Sequence, residues 1–305
     1  MTKTVSWDKV AEWWDRAAGE TGVWHQEHDI DPVVRRLLGR VKSRVILEIG
    51  CGNGYFSRQL ARAGAEVTAI DKSKKFVSLA QEKKKRHPLR IHYLQHDAVN
   101  LKGLGSLKFD IVLANMVLMD VPHFHQVMKE VARVLKSSGR FVFSIVHPLY
   151  SDWQHAVVSY KGKKYYARVL KKYMSETDND RMHWKSGHAT IHYHRPLQSY
   201  IHALRDAGFL VRDIYEIRTS RKLVRAPSAG EKNRGQVDAI LHFESRQEVK
   251  AGEPPRNTTL PRSRSGEGYS LTSGQRKQSR RFSFCKTTHR TKGRGSTPTA
   301  LLPLS

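Results

Sequence analysis

Apolar positions fall at helical spacing through the first forty residues and then change period. In "SWDKVAEWWDRAA", Val10, Trp13, Trp14 and Ala17 recur every three or four positions behind Ser6, a residue type that caps helices by accepting a backbone N–H. "DPVVRRLLGR" predicts a second helix, with Asp31 as its cap and Pro32 at the first helical position. From Val45 onward short apolar runs alternate with amphipathic ones. "RVILEIG", "EVTAID", "IHYLQHD", "FDIVLANM" and "RFVFSIVHP" read as strands, interleaved with helices at "YFSRQLARAG", "SKKFVSLAQEKKKR" and "HFHQVMKEVARVLKSSG". Such alternation predicts an α/β protein whose parallel sheet is covered by helices on both faces.

From Leu149 to His188 no period holds, and tyrosine, histidine and lysine dominate. "RPLQSYIHALRDAGF" restores a helix ended by Gly208, and "LVRDIYEIR" and "VDAILHFES" predict two closing strands. Beyond Ser245 the chain is Ser, Thr, Arg, Gly and Pro with few large apolar residues, too few to offset the entropy of ordering. The expected organisation is an N-terminal helical cap over 1–40, an α/β domain over 41–245 interrupted by the aperiodic segment at 149–190, and a basic disordered tail over 246–305.

Charge changes this picture only at the level of partners. The net charge is +26, and from Ser245 onward 13 Lys and Arg face 3 Asp and Glu. Anionic partners are thereby admitted, but charge says nothing about fold. Cys51 and Cys285 are the only cysteines, which excludes a disulfide framework and fits a reducing compartment. No apolar run approaches the roughly 18 residues that span a bilayer, and the N-terminus has no apolar signal core. A cytoplasmic protein without a membrane span is the expectation.

The chemistry concentrates in "VILEIGCGNG". Gly50, Gly52 and Gly54 give G-x-G-x-G between a strand and a helix, with Glu48 two residues before the first glycine. Glycine permits positive φ and close backbone approach, and a helix start adds free N–H donors. Dinucleotide folds use G-x-G-x-x-G and seat a pyrophosphate there. A carboxylate at Glu48 would repel that group and suits a cationic ligand. Asp71 ends the next strand 21 residues after Gly50, Asp97 follows in "QHDAVNL", and "FDIVLANMVLMDVPH" and "VARVLKSSGRFVFSI" come after it.

These five segments in order resemble the class I S-adenosylmethionine-dependent methyltransferases, of the small-molecule, type 11-like kind, from roughly Val41 to Ser245. The resemblance implies a Rossmann-like, seven-stranded, mostly parallel sheet with its last strand antiparallel, and S-adenosylmethionine as cofactor. It also implies cofactor contacts at Glu48, Gly50, Gly52, Asn53 and Gly54 in the turn. Asp71 and Lys72 would lie at the ribose, Asp97 and Ala98 at the adenine, and the backbone of Asn115 and Met116 at the methionine part. In that family the N-terminal helices and the segment after the fifth strand cover the acceptor. Both are aromatic here, with Trp13, Trp14 and Trp24 in one and Trp153, Tyr160, Tyr165, Tyr166 and Trp184 in the other.

An aromatic cover resembles that of enzymes acting on quinones, polyketides or other lipophilic small molecules. The expected reaction is therefore methyl transfer to oxygen or carbon of such an acceptor. His147, at the end of the fifth strand, is the candidate base. Trp14, Trp24, Asp120, His123 and Trp153 are candidate substrate-side residues. "HFH" and "HYH" set imidazoles two apart, but no cysteine cluster or H-x-x-x-H accompanies them, so no metal is expected. The alternative partner is RNA or a protein, through basic stretches such as "QEKKKRHPLR" and "YKGKKYYARVLKKY". The N-P-P-Y-type motif of many amino-group methyltransferases is absent, with "ANMV" in its place.

Overall fold

A computed structural model describes residues 6–86, 88–150, 153–160, 162–170, 173–184, 186–217 and 240–246, so the expectations for the tail beyond 246 lie outside the described residues. Helix α1 (Trp7–Ala18) starts at Ser6, whose Oγ accepts the Asp8 N–H at 3.2 Å. Helix α2 (Asp31–Leu38) corrects the sequence reading. A single π turn, Gln26–Ile30, runs straight into it, so Asp31 is already helical and does not cap. Its carboxyl turns inward instead and is fully buried.

Five strands form the parallel centre of the sheet: β1 (Val45–Ile49), β2 (Glu66–Asp71), β3 (Ile91–Gln95), β4 (Phe109–Asn115) and β5 (Leu135–Val146). Their spatial order is β3-β2-β1-β4-β5, each neighbouring pair parallel. Side chains alternate between faces along each strand. Leu47 and Ile49 of β1 join Val112 and Ala114 of β4 in one core, under α5 (Phe124–Val134) and α6 (Leu197–Asp206). Ile46, Ile111 and Leu113 join the other core, under α2, α3 (Tyr55–Arg62) and α4 (Lys74–Arg86). Burial on both faces is why these strands read as continuous apolar runs.

The chain winds outward from β1 to β3 and then returns to β4 on the other side of β1. That reversal opens a crevice at the C-terminal ends of β1 and β4, the place where open α/β sheets bind ligands.

After β5 the aperiodic stretch folds as two antiparallel hairpins, β6 (Trp153–Tyr160) with β7 (Lys163–Leu170) and β8 (Thr177–His183) with β9 (Ala189–His194). The hairpins were not legible because the inward positions of β9 are Thr190, His192 and His194, so buried and polar coincide. Strands β10 (Leu210–Glu216) and β11 (Ile240–Arg246) extend the sheet past β5 in the order β10-β11-β5, with β11 antiparallel to both neighbours. Among the described residues no helix is long and apolar enough to cross a membrane.

Candidate functional site

Leaving β1, the chain turns through Gly50, Cys51, Gly52, Asn53 and Gly54 into α3. The three glycines have φ of +65°, +55° and +75°, the left-handed region that side chains resist. A Cβ on Gly50 would collide with Val117 and one on Gly54 with the Tyr93 ring, whereas one on Gly52 would meet nothing within 4 Å. The outer glycines let the turn pack, and the middle one leaves backbone facing open space.

Asp71 at the end of β2 borders that space. Its Oδ2 accepts the Gly52 N–H at 2.9 Å and its Oδ1 the Ser73 N–H at 2.8 Å. Burial pushes the carboxyl up to about 6, against the pull of those two donors. Each oxygen keeps a lone pair that could accept a ligand hydroxyl. After β3, Asp97 pairs with Lys72 at 2.8 Å and accepts the Val99 N–H at 3.2 Å. Burial raises this carboxyl, but the Lys72 and Val99 hydrogen bonds outweigh it and hold it below the usual range. Ala98 beside it is buried.

At the end of β4, Met116 holds φ of +59°, strain that its N–H offsets by donating to Ser144 O at 3.1 Å and Ser144 Oγ at 2.9 Å. Asn115 Oδ1 accepts from the Ser144 hydroxyl at 2.5 Å, and its Nδ2 faces Asp31 Oδ1 at 3.3 Å. Tyr55 donates to the same Asp31 oxygen at 3.2 Å. The other oxygen, Asp31 Oδ2, is buried without a hydrogen-bond partner, and burial pushes the carboxyl up to about 7. A buried carboxylate oxygen between Tyr55 and Asn115 could hold a cationic group. Sequence reasoning missed it because a D-P pair at a helix start signals a cap.

Glu48 of β1 and Asn53 of the turn are engaged within the protein. Glu48 is buried, accepts a short hydrogen bond from Ser57 on α3, and is pushed by burial up to about 8. It ties the end of β1 to α3. Asn53 donates to Asp15 Oδ1 at 2.8 Å and to Gly19 O at 3.0 Å, while its Oδ1 accepts the Tyr55 N–H at 3.2 Å. It therefore ties the end of α1 to the turn.

Helix α1 is held over this edge by carboxylates. Asp8 accepts from Ser73 Oγ at 2.5 Å and Lys75 N–H at 3.0 Å, Asp15 pairs with Lys83, and Glu20 meets the buried Arg58 at 2.8 Å. Trp7, Trp13 and Trp14 then meet Trp184 from the tip of the β8–β9 hairpin, with ring centroids 5.6, 5.8 and 5.2 Å apart. Thr190 accepts the Trp184 indole N–H at 3.0 Å. At its other end the hairpin is fixed to the turn after β4. Buried Arg195 donates from Nη1 to Leu118 O at 3.1 Å, and from Nη2 to Val121 O at 2.6 Å and Pro122 O at 2.9 Å. The hairpin thus links the turn after β4 to α1.

The candidate substrate-side residues divide accordingly. Trp14 belongs to the indole cluster. Asp120 Oδ1 lies 3.3 Å from Nδ1 of His192, both largely buried, and burial raises the Asp120 carboxyl. His123 is exposed at the start of α5, and Trp24 stacks on His28 at 4.5 Å on the surface; neither joins them. Trp153 opens β6 and its side chain lies outside the described residues, as do those of Tyr160, Tyr165 and Tyr166. His147 Nδ1 accepts the Leu149 N–H at 3.1 Å and its Nε2 faces Glu216 Oε1 at 3.1 Å. Burial lowers its pKa while Glu216 opposes. That arrangement leaves neither nitrogen for an acceptor.

Comparison with known proteins agrees with this geometry. The family model described as methyltransferase domain matches residues 47–143, from β1 to β5. A ubiquinone biosynthesis O-methyltransferase of Coxiella burnetii is 27% identical over 168 residues, covering 54% of this chain and 68% of that protein. Its namesake in Alkalilimnicola ehrlichii is 30% identical over 167 residues, covering 53% and 65%. Among solved structures, an S-adenosylmethionine-dependent methyltransferase of Mesorhizobium loti superposes with a TM-score of 0.58 at 24% identity, covering 70% of this chain and 96% of that one. The [4+2]-cyclase SpnF does so at 0.54 and 18%, covering 80% and 94%. The same fold carries different reactions, so fold alone does not settle chemistry. Residues 47–143 are a methyltransferase domain, on the class I fold. This chain is an S-adenosylmethionine-dependent methyltransferase, with S-adenosylmethionine as its cofactor.

Proposed function

We propose that this enzyme methylates a hydroxyl oxygen of a small, flat, lipophilic acceptor of the phenol or quinol type. The observation that carries this reading is the indole cover: Trp7, Trp13, Trp14 and Trp184 form a ceiling suited to an aromatic ring. The names and 27–30% identity of the curated relatives support the same acceptor class.

The residues present fit the cofactor. Asp71 would take the ribose hydroxyls on its remaining lone pairs, and Asp97 and Ala98 would border the adenine. Gly52 would offer bare backbone, and Asn115 and Met116 would line the methionine part. Asp31 Oδ2, an orphan among buried polar atoms, would take the ammonium. S-adenosylmethionine supplies an electrophilic methyl on a sulfonium. The chain's own task is to hold the acceptor oxygen in line with that methyl and to keep water out, which the hairpin and α1 do together.

The test is radiolabelled methyl transfer to a panel of catechols and hydroxylated quinols, with their fully O-methylated counterparts, aromatic amines and bulk RNA alongside. Label on the free hydroxyl compounds and not on the O-methylated ones is the expected result. Label on RNA or amines in their place would replace this reading.

A further inference from the structure

The turn after β4 and the underside of the hairpin bring together two groups that the cofactor does not need. Asp120 follows the strand end where Met116 lies, and His192 is the middle of the three inward residues of β9. Of these three, Thr190 is engaged by the Trp184 indole, and His194 Nε2 lies 2.9 Å from Tyr173 O. Between them, His192 sets Nδ1 3.3 Å from Asp120 Oδ1. A carboxylate there fixes the proton on Nδ1 and leaves the Nε2 lone pair available. Nε2 makes no hydrogen bond among the described residues, and the residue keeps 6% of its surface exposed.

We propose that Asp120 and His192 act as a general-base pair for the acceptor hydroxyl, His192 taking the proton and Asp120 orienting the ring. The inference rests on the O-methylation reading. As the oxygen–carbon bond forms and the carbon–sulfur bond breaks, sulfur keeps the electron pair, the hydroxyl proton passes to Nε2, and Asp120 faces the resulting imidazolium before the proton leaves to solvent. Arg195 contributes to the same electrostatics while anchored to the carbonyls of Leu118, Val121 and Pro122. Tyr200 on α6 feels the charges of Arg195, Asp120 and Glu176, His194 lies two residues along β9, and Asp180 is the residue paired with His192 across the hairpin. A hydroxyl is a poor nucleophile until its proton has somewhere to go, and a positioned base contributes about 10²–10⁴-fold.

Two readouts on the full chain test the pair. The first needs no acceptor: diethyl pyrocarbonate labelling near neutral pH, mapped by peptide mass spectrometry. Labelling of His192 is expected, at a rate that changes in Asp120→Asn, where the carboxylate facing Nδ1 is gone. An inert His192 beside labelled His123 and His125 would overturn the pair. The second readout is kcat across phenols of graded acidity. His192→Gln should lower it by about 10²–10⁴-fold, less for nitrocatechols whose proton leaves readily, with S-adenosylhomocysteine affinity unchanged. An equal loss for all phenols would make His192 structural. If the wild-type chain methylates no phenol, the function reading fails, while labelling still decides the pair.

Discussion

On the β1–β2 side of the crevice, the groups that border the open space are backbone atoms and one carboxylate, and all are fixed by the sheet. The glycine turn follows directly from β1, Asp71 ends β2, and Glu48 ties the end of β1 to α3. On the β4–β9 side, the cover is fixed by side chains from distant parts of the chain. Arg195 serves three carbonyls at one end of the hairpin, and Trp184 meets three indoles of α1 at the other. The seat we assign to the cofactor is therefore built from the sheet itself, and the cover we assign to the acceptor hangs on side-chain anchors. An enzyme built this way can change its acceptor through a few anchors while its methyl-donor seat stays the same.

The largest effect should come from breaking the rigid side. Gly54→Ala forces a side chain into the left-handed region, at about 1–3 kcal/mol for the backbone alone, and drives it into Tyr93. Loss of both cooperative unfolding and cofactor binding is expected, by denaturant titration and calorimetry. Asp71→Ala should leave the fold and weaken S-adenosylmethionine by about 1–3 kcal/mol, the scale of hydrogen bonds to a charged group. Unchanged affinity would remove Asp71 from the seat.

A smaller effect sharpens the comparison through pH. Burial raises the carboxyls of Glu48, Asp31 and Asp71 to about 8, about 7 and about 6. Between the unfolded and folded values the native state retains protons that the unfolded chain has released. Stability should therefore fall as pH rises, for Glu48 from its ordinary 4.5 through about 8. Glu48→Gln should remove that part of the fall. A variant whose unfolding still tracks the wild-type profile across this window would show that Glu48 is ionised in the native protein.

The same division decides what was legible in the sequence. Gly50, Gly52, Gly54, Asp71 and Asp97 lie at strand ends within consecutive β–α steps, so their spacing along the chain reflects their place in the sheet. The parallel core was legible for the same reason. Asp31 was read as a cap because local pattern cannot reveal a π turn before it or Tyr55 and Asn115 beyond it. Glu48 looked ligand-facing because the residue type invites a cation, but the pleat of β1 points it toward Ser57. His147 was singled out by its position at a strand end, and only the fold brings Glu216 to it. His192 and Asp120 lie 72 residues apart, and no periodicity links them.

The most direct test of the division is calorimetric titration of Arg195→Leu with S-adenosylhomocysteine, beside methyl transfer by the same protein. The substitution removes three hydrogen bonds from the hairpin anchor to backbone carbonyls, at about 1–3 kcal/mol each. Wild-type affinity for S-adenosylhomocysteine with methyl transfer lost is the expected result. Affinity falling in step with transfer would contradict it, because the two sides of the crevice would then be one structural unit.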